Sequence, residues 1–400
     1  MHPIADRLQR IQPSATMAMT EKALRLTVAG RPIISLSQGQ PDFDTPANVR
    51  AAAIEAMEQG KTRYTTVDGI SELKEAICSK FKSENNLSYK PNQISVATGG
   101  KQILYNALMS TVNSGDEVII AAPYWVTYPD IVLLCGGKPV FIDCDQVQGF
   151  KLSAADLAAA ISPRTKWLIL NSPSNPSGAA YSEQDIRLLA EVLDAHPHVL
   201  VIADDIYEHL IYDDFRFYTP AQVGGELAER VLTCNGMSKA YCMTGWRLGF
   251  AGGPEWLIKA MAKLQSQSTS NPTSISQYAA VAGLTGPKDF LKHNLAVFRE
   301  RRDRVVELLN QIPGLDCPTP EGAFYVYPSC AGIINRMTPS GHRIQSDSDF
   351  VEYLLDEAEV AAVPGQAFGL SPHFRVSYAT STELLEQACS QIRAAVEKLH

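Results

Sequence analysis

The sequence predicts an α/β fold with a mainly parallel central sheet and a smaller α+β domain. Short apolar runs alternate with helical patterns along most of the chain, and within the runs apolar residues do not alternate with polar ones. Such strands are buried on both faces, which is typical of a parallel sheet covered by helices. The 400 residues, 45 % of them hydrophobic and 20 % charged, provide enough core material for more than one domain.

The large domain is predicted from four strand-like runs, DEVIIAAP (116–123), KWLILNSP (166–173), HVLVIADD (198–205) and VLTCNG (231–236). Helical patterns at 153–161 and 182–193 separate these strands, and each begins with a serine at an N-cap position. Strand alternating with helix predicts right-handed βαβ units. Polar residues that follow the strands are then expected to meet at the carboxyl edge of the sheet, where such folds bind ligands.

The pattern changes near residue 290. A long charged helix is predicted at 293–310, followed by the strand-like segments GAFYVYP and FRVSYAT and by helices near 348–359 and 382–398. This is the composition of an α+β unit. We therefore expect an N-terminal segment that contributes to the small domain, a large cofactor-binding domain and a small C-terminal domain, at residues 1–45, 46–290 and 291–400.

Composition and charge exclude several classes of protein. The net charge of −8 argues against nucleic acid or an anionic membrane as the main partner, because both require a basic face. The N-terminal MHPIADRLQR lacks the apolar core of a secretory signal, and no apolar run approaches the ~20 residues that cross a bilayer. Eight cysteines without a CxxC pair predict reduced thiols. We expect a cytoplasmic protein.

A lysine and an arginine stand eight positions apart in NGMSKAYCMTGWRLG (235–249). Lys239 and Arg247 could belong to a surface turn beside a core strand. They could instead carry a covalent cofactor and hold its phosphate. Upstream, Gly99 and Gly100 join a strand to a helix, and the free N–H groups at such a junction bind anions.

Two adjacent carboxylates, Asp204 and Asp205, directly follow a predicted strand. They could ligate a metal, cap a helix or face a cationic heterocycle. A metal is disfavoured because the chain has no HExxH motif, and its histidines do not cluster at ligand spacing apart from His196 and His198. For Asp205 we expect a capping or solvent-exposed position. For Asp204, at the end of the strand, the sequence supports a role in binding a ligand at least as well as a structural role.

Three further residues follow apolar runs. Asn175 lies in the rigid loop NSPSNPSG (171–178), where its amide either faces a ligand or completes a turn. For Trp125, a position in the hydrophobic core is expected rather than stacking on a cofactor. Arg375 lies between Phe and Val in a strand pattern, so its guanidinium requires an anionic partner, either internal or a substrate carboxylate.

With these motifs in order, the chain resembles the class I aminotransferases of the aspartate aminotransferase family, in particular a bacterial subgroup with PSAT and PDFDTP motifs. The resemblance runs essentially from end to end, through QPSATMAM (12–19), SQGQPDFDTP (37–46), YTTVDGISELKEAI, GGKQ, PYWVTYP, NSPSNPSGAAY, DDIYEHL, SKAYCMTGWRLGF, GAFYVYP and FRVSYAT. It implies the three-layer fold type I, the cofactor pyridoxal 5'-phosphate and a homodimer with shared active sites.

The resemblance also implies how the cofactor is held. Lys239 is similar to the lysine that binds it covalently and acts in catalysis. Ser238, Arg247, Gly100 and Lys101 resemble the residues that hold its phosphate.

Other residues match the groups around the cofactor ring. Tyr64 resembles a tyrosine that reaches the phosphate from the other subunit. Asp204 resembles the aspartate that keeps the pyridine nitrogen protonated, so that the ring can withdraw electrons from the reacting carbon. Tyr207 and Asn175 resemble the pair that contacts the phenolic oxygen, and Trp125 resembles the aromatic that stacks on the ring, which replaces the core role expected above.

For the substrate, the family implies that Arg375 binds the α-carboxylate, beside Asn175 and Trp125, and that the backbone of Gly39 closes over it. Lys101 and small polar residues in QSQSTSNP (265–272) are expected near the distal carboxylate of aspartate. The implied reaction is ping-pong transamination of L-aspartate and 2-oxoglutarate to oxaloacetate and L-glutamate, with Lys239 moving the proton from Cα.

Three alternatives stay open. The first is an aminotransferase with another preferred donor, for example an aromatic one. Prephenate is disfavoured as a substrate because Gln12 stands where relatives that use it carry a basic residue. The second is a β-lyase of the same fold, which would release pyruvate and ammonia without an acceptor. The third is a hydrolase with a Ser–Lys dyad, but SELK (71–74) lies in an amphipathic helix pattern.

Overall fold

The computed structural model describes residues 4–400. Its α-helices are α1 (Ala15–Val28), α2 (Ala47–Glu58), α3 (Ser71–Asn85), α4 (Gly100–Thr111), α5 (Thr127–Leu134), α6 (Ala154–Ala160), α7 (Glu183–Asp194), α8 (Gly225–Ala228), α9 (Glu255–Ser266), α10 (Ser274–Thr285), α11 (Asp289–Asn310), α12 (Asp347–Glu357) and α13 (Thr382–Glu397). Its strands are β1 (Ile34–Ser35), β2 (Ile94–Ala97), β3 (Glu117–Ala122), β4 (Lys138–Asp143), β5 (Thr165–Asn171), β6 (Leu200–Asp204), β7 (Val231–Gly236), β8 (Gly249–Gly252), β9 (Tyr325–Val326), β10 (Val360–Ala361), β11 (Val363–Pro364) and β12 (Phe374–Ser377).

A seven-stranded sheet forms the centre of the molecule, in the order β2-β8-β7-β6-β5-β3-β4. All neighbours pair in parallel except β8, which is antiparallel to both β2 and β7. The predicted mainly parallel sheet and its four core strands, β3, β5, β6 and β7, are thus confirmed. Strand β8 can be antiparallel because residues 237–248 return to it directly, without the crossover helix that a parallel neighbour needs. Both ends of this connection therefore lie at the carboxyl edge of β7.

Helices cover both faces of the sheet, which makes the three layers that the resemblance implied. On one face Leu168 packs in a core with Ile77 of α3 and Leu189 of α7. On the other face the adjacent Trp167 packs in a core with Leu104 of α4 and Met261 of α9, among others. Successive strand residues point to opposite faces, and here both faces are dry. This is why the strand sequences are continuously apolar.

Another core joins the N-terminal segment to the C-terminal third of the chain. Ile34 and Leu36 are buried there with Phe298 of α11 and Val376 of β12. Strand β1 pairs in parallel with β10, and β11, β12 and β9 form a small antiparallel sheet. The predicted long helix is confirmed, but it begins earlier, at Asp289. The division at 1–45, 46–290 and 291–400 stays a prediction.

Two local predictions about caps are confirmed. The hydroxyl of Ser153 accepts a hydrogen bond from the backbone N of Asp156 at the start of α6, and that of Ser182 accepts one from Asp185 at the start of α7. The eight cysteines are all free thiols. Within residues 4–400, no helix combines the length and the apolar character needed to cross a membrane.

Candidate active site

A cavity of roughly 460 Å³ opens where the loops after the strands meet. The sequence-predicted site residues that line it are Gly39, Gly100, Lys101, Trp125, Asn175, Asp204, Tyr207, Ser238, Lys239, Arg247 and Arg375. They come from segments far apart in the chain, and the parallel topology brings them to one edge of the sheet. Tyr64 does not line the cavity. Its side chain is 90 % exposed, so the role implied for it requires a second copy of the chain and stays a prediction.

Lys239 lies in the turn after β7 and points its amine into the cavity wall. Its Nζ donates a hydrogen bond to the carbonyl oxygen of Gly39, 2.6 Å away. Burial, followed by the nearby cations Arg375 and Arg247, lowers the pKa of Lys239 from 10.5 to about 8. A lysine acts as a nucleophile only without its proton. The site therefore holds an amine that loses its proton much closer to neutrality than a free lysine does.

A group that we call the phosphate cradle lies beside this lysine and consists of Ser238, Arg247, Gly99, Gly100 and Lys101. Helix α4 begins at Gly100, so its unpaired N–H groups and positive end face the cradle. A Cβ atom at Gly99 would lie 2.5 Å from Nη2 of Arg247, so only glycine lets the guanidinium approach the helix terminus. Arg247 has a left-handed φ of 54° and donates Nη1 to the carbonyl of Thr244.

The charge of the cradle suits a dianion. The pKa of Lys101 lies below its ordinary value because of desolvation and the nearby Arg247 charge, while Asp130 opposes the shift. Nζ of Lys101 lies 4.9 Å from the centroid of the Trp125 ring. Clustered cations and a helix N-terminus form the kind of site that binds phosphate. The residues present thus fit the phosphate of the implied cofactor.

Asp204 ends β6 on the cavity wall and is 8 % exposed. The hydroxyl of Tyr128 donates to its Oδ2 over 2.6 Å, and Nδ2 of Asn171 donates to its backbone carbonyl over 2.7 Å. Burial raises the pKa of Asp204, opposed by the Tyr128 hydrogen bond and by the charge of Lys239. A buried carboxylate of this kind is a suitable partner for a cationic ring nitrogen.

Asp205 differs from its neighbour and from our expectation. It is 2 % exposed, so the predicted solvent-exposed position is wrong, and the residues after it form turns rather than a helix that it could cap. Its Oδ2 has no hydrogen-bond partner among the residues that the structure describes. Burial raises the pKa of Asp205 well above the ordinary value of an aspartate. Two adjacent aspartates thus lie in different environments: Asp204 lines the cavity and Asp205 does not, as expected where successive residues of an extended strand point to opposite sides.

Tyr207 and Tyr325 form a pair of buried hydroxyls in the cavity wall. Their oxygen atoms lie 2.9 Å apart, and the rings meet edge to face. Burial raises the pKa of both phenols, so both keep their protons. Tyr325 was not predicted as a site residue. The motif GAFYVYP indicates a strand, but its alternation does not say which tyrosine faces the site.

Arg375 is 2 % exposed and has no carboxylate partner among residues 4–400. Its Nη1 donates to Oδ1 of Asn175 over 2.8 Å and its Nη2 to the carbonyl of Ser37 over 2.5 Å. Within the described part of the chain, its Nε has no hydrogen-bond partner. The guanidinium also lies over the rings of Tyr325 and Phe368. Of the two anionic partners left open by the sequence, the internal carboxylate is therefore absent from the described part of the chain.

The start of α1 and the residue before it also line the cavity, through Ser14, Thr16, Met17 and Thr20. This wall of the cavity is therefore partly polar, through the short hydroxyl side chains, and partly apolar, through the methionine. The segment 265–272, expected near the substrate, does not line the cavity of its own chain. The ring of Trp125 is half-buried on the wall, perpendicular to that of Tyr128 at 5.4 Å.

A buried ionic network lies behind the turn that carries Tyr207. Glu208 contacts Nζ of Lys80 and accepts hydrogen bonds of 2.7 Å from both Asn85 and Asn235. The network joins α3 to the turn after β6 and to β7. The network was also missed, because its members come from distant parts of the chain and no local pattern links them to one another.

Comparison with known proteins agrees with this geometry. The family model described as "Aminotransferase class I and II" matches residues 31–392. The chain belongs to this family. It is therefore an enzyme that transfers amino groups and uses pyridoxal 5'-phosphate.

Individual relatives are similar over their whole length. An aspartate/prephenate aminotransferase of Cereibacter sphaeroides is 58 % identical over 391 residues, 98 % of each chain. An aspartate aminotransferase of Rhizobium meliloti is 57 % identical over 395 residues, 99 % of this chain and 96 % of the relative.

Solved structures show the same fold. A crystal structure of the aspartate aminotransferase from Rhizobium meliloti superimposes with a TM-score of 0.97 at 56 % identity, covering 100 % of both chains. An aspartate aminotransferase of Thermus thermophilus with maleate gives a TM-score of 0.92 at 40 % identity, covering 99 % of this chain and 100 % of that one. The predicted fold type I is confirmed.

Proposed function

We propose that this aminotransferase transfers the amino group of L-aspartate to 2-oxoglutarate, producing oxaloacetate and L-glutamate in two half-reactions at one site. The observation that carries the proposal is the buried guanidinium of Arg375, which has no carboxylate partner among residues 4–400 and lies in the same cavity as the amine of Lys239. An α-carboxylate on this arginine compensates its charge. The relatives named aspartate aminotransferases support the choice of donor.

Bound pyridoxal phosphate supplies an aldehyde that condenses with amines and a cationic ring that withdraws electrons. Lys239 would hold the cofactor between turnovers and then move the proton at the substrate Cα, because its amine has a lowered pKa. Asp204 would keep the proton on the ring nitrogen. Tyr207 and Asn175 would contact the phenolic oxygen, and Trp125 would stack on the ring.

The phosphate cradle would anchor the cofactor, and Arg375 would orient the substrate by its α-carboxylate. Gly39 lies where a loop can close over the substrate, since its carbonyl already contacts Lys239. Lys101 has no paired carboxylate in the cavity wall and is available to a distal carboxylate as well as to phosphate. A dicarboxylic substrate would then have one cation available for each of its carboxylates.

The test is a panel of amino donors with 2-oxoglutarate as acceptor. We expect kcat/KM for L-aspartate to exceed that for aromatic and branched donors. A higher value for one of those donors would overturn the substrate assignment. Prephenate is included as an acceptor, because several relatives are named aspartate/prephenate aminotransferases. Pyruvate and ammonia released without any acceptor would instead indicate a β-lyase.

We also infer a cytoplasmic homodimer with shared active sites. The support is Tyr64, which is too exposed to serve the cavity of its own chain. Equilibrium sedimentation of the holoenzyme should give the mass of two chains. A monomer that is fully active would contradict the shared site.

A further inference from the structure

One residue that the mechanism above does not use touches three that it does. Tyr325 is buried in β9, and its hydroxyl lies 2.9 Å from that of Tyr207. Its ring lies 4.6 Å from the guanidinium carbon of Arg375. A Cβ atom at Gly39 would overlap the Tyr325 hydroxyl. Tyr325 therefore occupies the point where the cofactor side and the substrate side of the cavity meet.

The number of hydrogens available decides which tyrosine donates the hydrogen bond between Tyr207 and Tyr325. A phenol has one hydrogen to donate and accepts through its oxygen. If Tyr207 donates its hydrogen to the phenolic oxygen of the cofactor, it has none left for Tyr325. The 2.9 Å contact is then a hydrogen bond from Tyr325 to Tyr207. Each bond in such a chain polarises and strengthens the next.

We propose that Tyr325 is a positioning residue, which donates a hydrogen bond to the Tyr207 oxygen and so directs the Tyr207 hydroxyl at the cofactor. The inference rests on the role proposed above for Tyr207. It explains why a phenol rather than a phenylalanine stands under Arg375, where the ring alone would suffice for packing against the guanidinium. The hydroxyl of Tyr325 can fix the direction of the Tyr207 hydroxyl, which a phenylalanine could not do.

The effect is measurable without turnover. A hydrogen bond donated to the phenolic oxygen of the cofactor stabilises negative charge on that oxygen. When the nitrogen supplied by Lys239 loses its proton, the nearby positive charge disappears and this stabilisation matters most. The hydrogen bond therefore favours the deprotonated nitrogen. Weakening that donation raises the pH midpoint of the visible absorbance change of the holoenzyme. We expect an upward shift of roughly 0.5 pH unit in Tyr325→Phe and of about 1–2 units in Tyr207→Phe.

The double variant separates positioning from direct action. Because Tyr325 acts through Tyr207, Tyr207→Phe/Tyr325→Phe should have the midpoint of Tyr207→Phe alone. Tyr327→Phe is the matched control. It removes another buried hydroxyl two residues away, which donates to the carbonyl of Leu370 and does not line the cavity, and it should leave the midpoint unchanged.

Incorporation of 3-fluorotyrosine at position 325 tests the sign while keeping the shape of the side chain. The more acidic phenol is a stronger donor, so the midpoint should fall below that of the parent. An unchanged midpoint in both the Tyr325→Phe and the fluorinated protein, with a shift in Tyr207→Phe, would refute the inference and leave the role of Tyr207 standing. No shift in any variant would refute both. Additive shifts in the double variant would also refute positioning through Tyr207.

Discussion

The buried arginine allows the sharpest prediction about substrate binding. In Arg375→Leu the site loses the guanidinium that would form two hydrogen bonds to the α-carboxylate. A hydrogen bond to a charged group contributes about 1.5–3 kcal/mol, so two contribute ~3–6 kcal/mol. Since 1.36 kcal/mol is a factor of ten in rate, kcat/KM for aspartate should fall roughly 10²- to 10⁴-fold.

Arg375→Lys refines this prediction, because lysine keeps the charge but cannot form the paired hydrogen bonds. Losing one of the two bonds should reduce kcat/KM by about 10- to 150-fold. Steady-state kinetics with aspartate and 2-oxoglutarate, on protein saturated with cofactor, are the assay.

Arg302→Lys is the control for this series. Arg302 is also buried, but it pairs with Asp213 and Asp303 outside the cavity. We expect a lower free energy of unfolding and an unchanged kcat/KM. A kcat/KM for Arg375→Leu within threefold of the parent would refute the assignment of Arg375 to the carboxylate.

Three further predictions concern charge, stability and the cradle. Burial holds the folded pKa of Lys239 near 8, below 10.5, so the unfolded apoprotein binds more protons between these values and stability rises with pH there. Apoprotein Lys239→Met should therefore be the more stable protein at pH 7, with the difference shrinking from pH 8 to 10.5 in urea titrations. Glu208→Gln should lose about 1.5–3 kcal/mol of unfolding free energy, because buried Lys80 loses its hydrogen bond to a charged partner and keeps only the longer ion pair, 3.6 Å, with Glu84, and the paired replacement Glu208→Leu/Lys80→Met should recover most of it. Gly99→Ala should weaken cofactor affinity at least ~10-fold by overlap with the adjacent guanidinium, whereas Gly60→Ala, with open space around it and a φ of +69°, should cost only about 1 kcal/mol of stability at unchanged affinity.

The parallel sheet could be predicted because its cause is local. Strands buried on both faces must be apolar throughout, and β3, β5, β6 and β7 show this in their sequences. Strand β8 (Gly249–Gly252) gave no such signal, because it contains two glycines and only four residues. Its place between β2 and β7 depends on the short return of the chain after Lys239.

The site could be predicted only where its residues stand in a motif. Asp204 ends β6, Lys239 and Arg247 lie in the connection after β7, and the topology brings such residues together. The environment of Asp205 was missed because its burial depends on packing by distant segments. Tyr325 was missed because an alternating strand does not reveal which face meets the cavity. The role implied for Tyr64 stays a prediction, because its exposed side chain does not reach the cavity of its own chain.

The most direct test of the central assignment is to reduce the holoenzyme with borohydride and map the modified peptide by mass spectrometry. Reduction fixes the cofactor to the amine that holds it. We expect one pyridoxyl group per chain, on Lys239, and none on Lys239→Ala. A label on another lysine, such as Lys101, or a Lys239→Ala variant that turns over at the parent rate, would contradict the account.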